Sequence, residues 1–370
     1  MIIQNAQVFS ENGGFEKRDL YIEGGCFVET GAGEVLNAEG FYAVPGLIDL
    51  HFHGCAGHDF CEGTAEAIHA IAAYERAAGV TAICPATMTY PEEKLAAVCQ
   101  AAAAWEGVGA SLVGINLEGP FLSASKKGAQ NGMWLHAPDA EFFLRLQEQA
   151  GGRIRLLAVA PELPGAMELI RKLRDEVVVS VAHTEANYET AVEAFESGAR
   201  HVTHLYNAMP PFLHRAPGVV GAAMDAPQCR IELICDGIHV HPSVVRGTFR
   251  MFGDDRVILI SDSMMATGLP DGEYSLGGQA VSVCGNQCTL ADGTIAGSAS
   301  NLMDCLRTAV LKMGIPLASA VKAATVNPAK ELGIFPEYGS LAVGKRADLL
   351  LLDSQLRLVL VMQGGEKVLH

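Results

Sequence analysis

The sequence predicts a (β/α)8 TIM barrel carrying a small β-sandwich domain formed by both chain ends. Three observations predict it. Eight apolar runs of strand length punctuate the body of the chain, helical segments lie between most of them, and both termini are β-like and broken by turns.

The first segments, residues 2–9, 20–23 and 25–29, are short β stretches separated by glycines. The character changes at Val44-Pro45-Gly46, and strand-like patterning returns at 347–352 and 358–363. Residues 1–45 and 341–370 are therefore expected to meet in one small β domain, leaving 46–340 as the barrel. Within the body, apolar runs fall at 43–50, 80–86, 111–117, 154–160, 176–182, 200–205, 230–235 and 256–261. Between them, segments such as 64–78, 91–105 and 187–197 have helical spacing. Continuous apolar strands alternating with helices imply a parallel sheet covered by helices. Eight such units over roughly 250 residues is the size of a barrel. A doubly wound open sheet would place a glycine-rich phosphate loop after its first strand, where this chain has His51-Phe52-His53-Gly54. After the eighth run, residues 271–296 show the alternation and turns of β-hairpins, and helical segments follow near 300–312 and 317–325.

Composition narrows the partners. Hydrophobic residues make up 49% of the 370 and mean hydropathy is +0.22, enough for a deep core. Against 42 acidic residues stand 26 basic ones, a net −16 that argues against nucleic acid or an anionic membrane as partner. A phosphorylated ligand would have to be held by a few local cations. The ten cysteines form no CxxC pair, Cys284 and Cys288 being the closest, so neither a zinc ribbon nor a disulfide framework is expected. No signal-peptide pattern opens the sequence, and no apolar stretch approaches the ~18 residues of a membrane span. These features predict a soluble, cytoplasmic enzyme.

A barrel builds its active site from the C-terminal ends of its strands. The residues just past the apolar runs are His51 and His53 (first), Glu118 (third), His183 (fifth), His204 (sixth), Asp236 with His239 (seventh), and Asp262 (eighth). Two residues apart on a strand, His51 and His53 share a face and can grip one cation. Glu118 is placed to bridge two metals or to serve one beside His183 and His204. Asp262 can take a proton from an attacking water and return it to a leaving amine, or act as a further ligand. His58, His69, His201, His214 and His370 have no such placement and read as ordinary histidines; His136 and His241 stay undecided.

These residues lie in longer phrases: Leu117-Glu118-Gly119-Pro120-Phe121, Lys126-Lys127-Gly128-Ala129, Ala182-His183-Thr184, His204-Leu205-Tyr206-Asn207-Ala208-Met209, Asp236-Gly237-Ile238-His239-Val240-His241, and Ser261-Asp262-Ser263-Met264. With them the chain resembles the N-acetylglucosamine-6-phosphate deacetylases along nearly its whole length. The resemblance implies Glu118, His183 and His204 as principal ligands of a divalent metal (Zn, Fe, Mn or Co) and Asp262 as the catalytic carboxylate. It implies that Asn207 and the Ala208 main chain touch the sugar phosphate and that His239 holds a sugar hydroxyl. Arg215 would pair with the phosphate across a two-fold homodimer. Some members lack histidines at the positions of His51 and His53 and carry one metal; this chain has both and is expected to accommodate two. Some members have a histidine where this chain has Gln130, leaving carbonyl polarisation to the metal, His239 or the Gln130 amide. The implied substrate is a small amino-sugar phosphate, N-acetylglucosamine 6-phosphate. Its galacto epimer is one rival, and a catalytically inactive binding protein is another. A carbamylated-lysine amidohydrolase is disfavoured, because the fourth strand, Leu156-Leu157-Ala158-Val159-Ala160-Pro161-Glu162, offers no lysine.

Overall fold

A computed structural model describes residues 1–368; His370 lies outside the described residues. Both chain ends enter one eight-stranded sheet. In it Ile2–Phe9 pairs with Phe15–Glu23, Val35–Asn37 and Tyr42–Pro45. Tyr42–Pro45 in turn pairs antiparallel with Leu349–Leu352, and that strand with Leu358–Gln363. Ile3, Val8, Leu20, Phe27, Leu349 and Leu351 supply its own apolar core.

The run 43–50, expected as a single strand, is divided. Tyr42–Pro45 belongs to the end sheet and Leu47–Asp49 begins the parallel sheet. Gly46 sits between them against the Thr81 side chain, so two sheets share one apolar run whose parts periodicity alone does not separate.

Eight parallel strand positions follow in chain order among the described residues. They are Leu47–Asp49, Val80–Ile83, the interrupted pair Ser111–Leu112 and Ile115–Leu117, Ile154–Val159, Val178–Val181, His201–Val202, Arg230–Ile234 and Val257–Ile260. Each pairs with the next, the second reaching the third also through the Ala86–Asn116 bridge. Asp262 N donates to His51 O at 3.0 Å, linking the eighth position to the first, so the sheet is strongly curled. Helices such as Ala65–Ala77, Glu92–Ala104 and Tyr188–Ser197 pack outside it, the first and last capped by the side chains of Thr64 and Asn187. Alternate strand residues serve two layers. Val257 and Leu259 face the helices, while Ile258 and Ile260 join Ile48, Leu156, Val178 and Ile234 inside. Ala329 and Leu332, at the end of the helix Val326–Glu331, pack into this inner cluster and stop its lower end. The predicted hairpins are Gly272–Leu276, Gln279–Cys284 and Gln287–Thr289, a three-stranded antiparallel sheet. None of the helices among the described residues is long and apolar enough to cross a membrane.

The seam at Gly46 is testable. A Cβ there would lie 2.1 Å from Thr81 Oγ1 and 2.5 Å from its Cγ2, so Gly46→Ala forces the two sheets apart. It should lower stability by about 1–3 kcal/mol, the scale of an overpacked core. Adding Thr81→Ala removes the two nearest of three clashing atoms and leaves the Thr81 Cβ at 2.8 Å, so a double-mutant cycle by urea unfolding should show partial recovery; additive losses would place the strain elsewhere.

Candidate active site

The strand ends bring His51, His53, Glu118, His183, His204 and Asp262 into one buried cluster. His183 Nε2 and His204 Nε2 lie 3.0 and 3.2 Å from Glu118 Oε1 and 3.1 Å from each other. His51 Nε2 is 3.4 Å from the same oxygen and 3.7 Å from Asp262 Oδ1. His53 Nε2 is 3.4 Å from Glu118 Oε2 and 3.4 Å from Asp262 Oδ1. Two ligand groups result, Glu118–His183–His204 and His51–His53–Asp262, the ligand atoms of each lying within 4.8 Å of one another. Imidazole nitrogens with one carboxylate per group are the donor set of a divalent transition metal. His51 Nε2 is buried and has no hydrogen-bond partner among the described residues, which fits an atom reserved for a cation.

Strained backbone aims these side chains. His183, His204 and Asp262 have φ of 43°, 27° and 50°, and Tyr206 and Ala208 have 80° and 52°. Non-glycine residues hold such angles only where their surroundings impose them, at about 1–3 kcal/mol each. Here the peptide groups are tied down: His204 N donates to Glu232 Oε2 at 2.9 Å, Ser298 N donates to Asp262 O at 2.7 Å, and Ser123 N donates to His183 O at 2.9 Å.

A second layer holds the ligands. His183 Nδ1 donates to Lys126 O at 2.8 Å, leaving Nε2 free to coordinate. The Gln130 amide nitrogen donates to Glu118 Oε2 at 2.7 Å while its oxygen accepts from Thr89 N at 2.7 Å, so this side chain braces Glu118. His239 Nδ1 donates to Asp236 Oδ2 at 2.7 Å, and Asp236 also accepts from the main chain of Ile238 and His239. Burial works against the charge of Glu118 and Asp262. The facing histidines outweigh it, His51 foremost for Glu118 and His53 for Asp262, and hold both below the usual carboxylate range, Glu118 far below.

Sequence reasoning passed over Glu232 and gave His201 no particular place; both are buried. Glu232 is wholly buried; its Oε2 accepts from His51 Nδ1 at 2.8 Å, and its Oε1 faces His201 Nε2 at 3.0 Å. His201, read as ordinary, is fully buried, its Nδ1 3.0 Å from Glu331 Oε1. The signal was present: Arg230-Ile231-Glu232-Leu233-Ile234 puts a carboxylate mid-strand in a sheet buried on both faces, where it needs partners.

Above the cluster opens a cavity of about 490 Å³, within the ~300–1,000 Å³ usual for small-molecule sites. Asn207, Ala208, His239 and Gln130 line it, as does Leu276 from the hairpin excursion. Lys126 and Lys127 line it too, local cations in an acidic chain. Arg215 is exposed and lies outside this wall. Of the undecided histidines, His136 stacks against Phe121 and Phe142, and His241 caps the helix Pro242–Phe252.

The amidohydrolase family profile matches residues 42–368. The N-acetylglucosamine-6-phosphate deacetylase of Bacillus subtilis (strain 168) is 39% identical over 87% of this chain and 83% of its own. An N-acetylgalactosamine-6-phosphate deacetylase of Escherichia coli O157:H7 is 32% identical over 99% of this chain and 98% of its own. Among solved structures, a mutant N-acetyl-D-glucosamine-6-phosphate deacetylase from Mycobacterium smegmatis, in complex with N-acetyl-D-glucosamine-6-phosphate, superposes with a TM-score of 0.94. It is 34% identical, and the match covers 100% of this chain and 99% of that one.

His201 predicts a pH signature. Burial favours its neutral ring, but Glu232 and Glu331 on its two nitrogens outweigh this and push its pKa up from 6.5 to about 9. With the folded value above the unfolded one, its contribution is complete below the unfolded pKa. It is lost as pH rises through about 9, on the order of 3 kcal/mol in total. The stability difference between the wild type and His201→Gln should therefore shrink from about pH 6 to about pH 10, read by urea midpoints. A constant difference across that window would mean that His201 is neutral in the folded chain.

Proposed function

This chain belongs to the amidohydrolase family, and from that premise we propose that it hydrolyses the acetamide of N-acetylglucosamine 6-phosphate to glucosamine 6-phosphate and acetate. The observation that carries the proposal is the paired histidine–carboxylate cluster, with Asp262 at its edge, at the base of a sugar-sized cavity. The likeness to deacetylases over almost the entire chain supports the substrate class.

Hydrolysis adds water across the acetamide C–N bond and frees the amine. Glu118, His183 and His204 would hold one divalent ion and His51, His53 and Asp262 a second, which would supply Lewis acidity toward the carbonyl and toward water. We take the ion to be Zn, Fe, Mn or Co. Asp262, ionised beside His53, accepts the proton of the attacking water and returns it to the amine nitrogen as the C–N bond breaks. Gln130 holds Glu118 in place. His239, oriented by Asp236, offers Nε2 to a sugar hydroxyl, and Asn207 with the Ala208 main chain meets the sugar phosphate. We read the curled parallel sheet as one (β/α)8 barrel over 46–340, and the end sheet as a small β-sandwich domain of 1–45 and 341–370. The protein acts in the cytoplasm as a homodimer, with neither nucleic acid nor membrane as partner.

Purified protein should release free amine from N-acetylglucosamine 6-phosphate faster than from its galacto epimer, lose activity on chelation and regain it with a divalent transition metal. Asp262→Asn should keep the ion at Glu118, His183 and His204 and keep substrate while kcat falls at least ~10²-fold. Amine release from neither sugar by metal-replete enzyme would overturn the reading, and preference for the galacto epimer would reassign the substrate.

Arg215 tests the dimer. It lies in a proline-bounded loop, Pro210 to Pro217, where a guanidinium can meet a phosphate with two parallel hydrogen bonds. Its position outside its own cavity wall supports a role in the neighbouring subunit. Arg215→Ala should mainly raise KM for the phosphorylated sugar. Co-expression with Asp262→Asn should restore some activity, because a mixed dimer contains one site with both residues intact. No recovery in demonstrated mixed dimers would return Arg215 to its own subunit or to no role.

A further inference from the structure

We propose that Glu232 is the positioning residue that couples the two metal groups, and that His201, Glu331 and Arg230 hold it in place from below. The inference rests on the reading that His51, His53 and Asp262 hold an ion.

The geometry is a continuous hydrogen-bonded chain, half-buried at Arg230 and buried from Glu331 onward. Arg230 Nη1 donates to Glu331 Oε2 at 2.5 Å, Glu331 Oε1 lies 3.0 Å from His201 Nδ1, and His201 Nε2 lies 3.0 Å from Glu232 Oε1. Glu232 Oε2 then accepts twice, from the His51 ring Nδ1 at 2.8 Å and from the His204 main-chain N at 2.9 Å. One carboxylate oxygen therefore fixes a ligand of each metal group. For His51 it selects the tautomer with the proton on Nδ1, so that the buried, unpartnered Nε2 presents its lone pair to the cation. For His204 it ties down a peptide held at a φ of 27°, and so the direction in which that side chain leaves the backbone.

The layering explains why the chain runs where it does. Arg230, Glu232 and Ile234 alternate with Ile231 and Leu233, which pack in the outer apolar layer. Glu331 ends the helix that stops the lower end of the inner cluster. The interior is thus stacked: a closing helix, a hydrogen-bonded polar layer, then the metal ligands. Glu232 touches neither cavity nor cation, and acts only through His51 and His204.

Two variants separate acceptance from charge. Glu232→Met fills the space without accepting a hydrogen bond. Glu232→Gln keeps one oxygen toward His51 and His204 and turns its amide toward His201, which can present a bare Nε2 while giving its proton to Glu331. Metal titration of the apo-protein against a competing chelator, with cobalt(II) as probe, reads each equivalent separately. The second equivalent should bind ~10–100-fold more weakly in Glu232→Met, the first should weaken less, and Glu232→Gln should stay within about 5-fold of wild type. In the zinc-loaded wild type, imidazole 15N shifts should show His51 protonated on Nδ1 with Nε2 bound to the metal, which needs no variant to fold. His51 protonated on Nε2, or a folded Glu232→Met with wild-type affinity for both ions, would overturn the positioning role alone. A His51→Ala control that binds as many ions as wild type would remove the second-ion reading itself, and the inference with it.

Discussion

Glu118 is 2% exposed and faces four imidazole rings at 3.0 to 3.4 Å. In so dry a place a carboxylate and several ring nitrogens cannot be left to water, and each must find a proton or a cation. Much of the architecture follows from that demand. The ligands come from strands distant in sequence because only a curled parallel sheet aims so many strand ends at one point. Their rings converge because positive φ at His183, His204 and Asp262 turns the chain inward where an extended strand would carry it past. The peptides around these residues are hydrogen-bonded so that the strain persists.

The same demand continues downward. A cation site at one end of a parallel sheet needs its ligands' rear nitrogens satisfied, and the inner face of the sheet is apolar. Glu232 answers for His51, and once a carboxylate is placed in mid-strand it needs partners of its own. His201 and Glu331 provide them, and Arg230 carries the arrangement to the periphery, where its side chain is 29% exposed. The polar column therefore extends until it reaches solvent. Each member is stabilised only while its neighbours stay in place, so the column also specifies the register of the sixth and seventh strands.

How much of this was legible depended on where each residue stood. The ligands were readable because they end apolar runs, where polarity breaks the pattern visibly: Ile115–Leu117 into Glu118, Val257–Ile260 into Ser261 and Asp262. Glu232 was not read, and His201 was read as ordinary, because they lie within or at the start of such runs and not past their ends. The domain boundary at Gly46 was read, but the run 43–50 was still taken as one strand, for a different reason. Apolar runs show that two sheets are buried but not where one stops, and that division depends on Thr81, 35 positions away in a separate strand. Gln130 was read as one of three candidates to polarise the substrate carbonyl. It lines the cavity, and its two amide ends also meet Glu118 and Thr89, contacts that only the folded loop brings together.

The charge balance completes the picture. A chain of net −16 repels an anionic sugar phosphate at long range, though salt screens that field beyond roughly 8–10 Å. What matters is the last few ångströms, where two lysines place local positive charge on a wall that also carries Glu118, Asp262 and Asp292. Lys126 and Lys127 lie on one side, and Lys126 also gives its carbonyl oxygen to His183. The loop that supplies cations to the wall thus also orients a metal ligand, so placing the ligand and placing the positive charge are one structural act. The antiparallel excursion packs against that loop, the Gln279 amide donating to Ala129 O, and it adds Leu276 to the cavity wall. The short segment 126–130 therefore lines the cavity and orients both His183 and Glu118, so a change there disturbs the wall and the ligand cluster together.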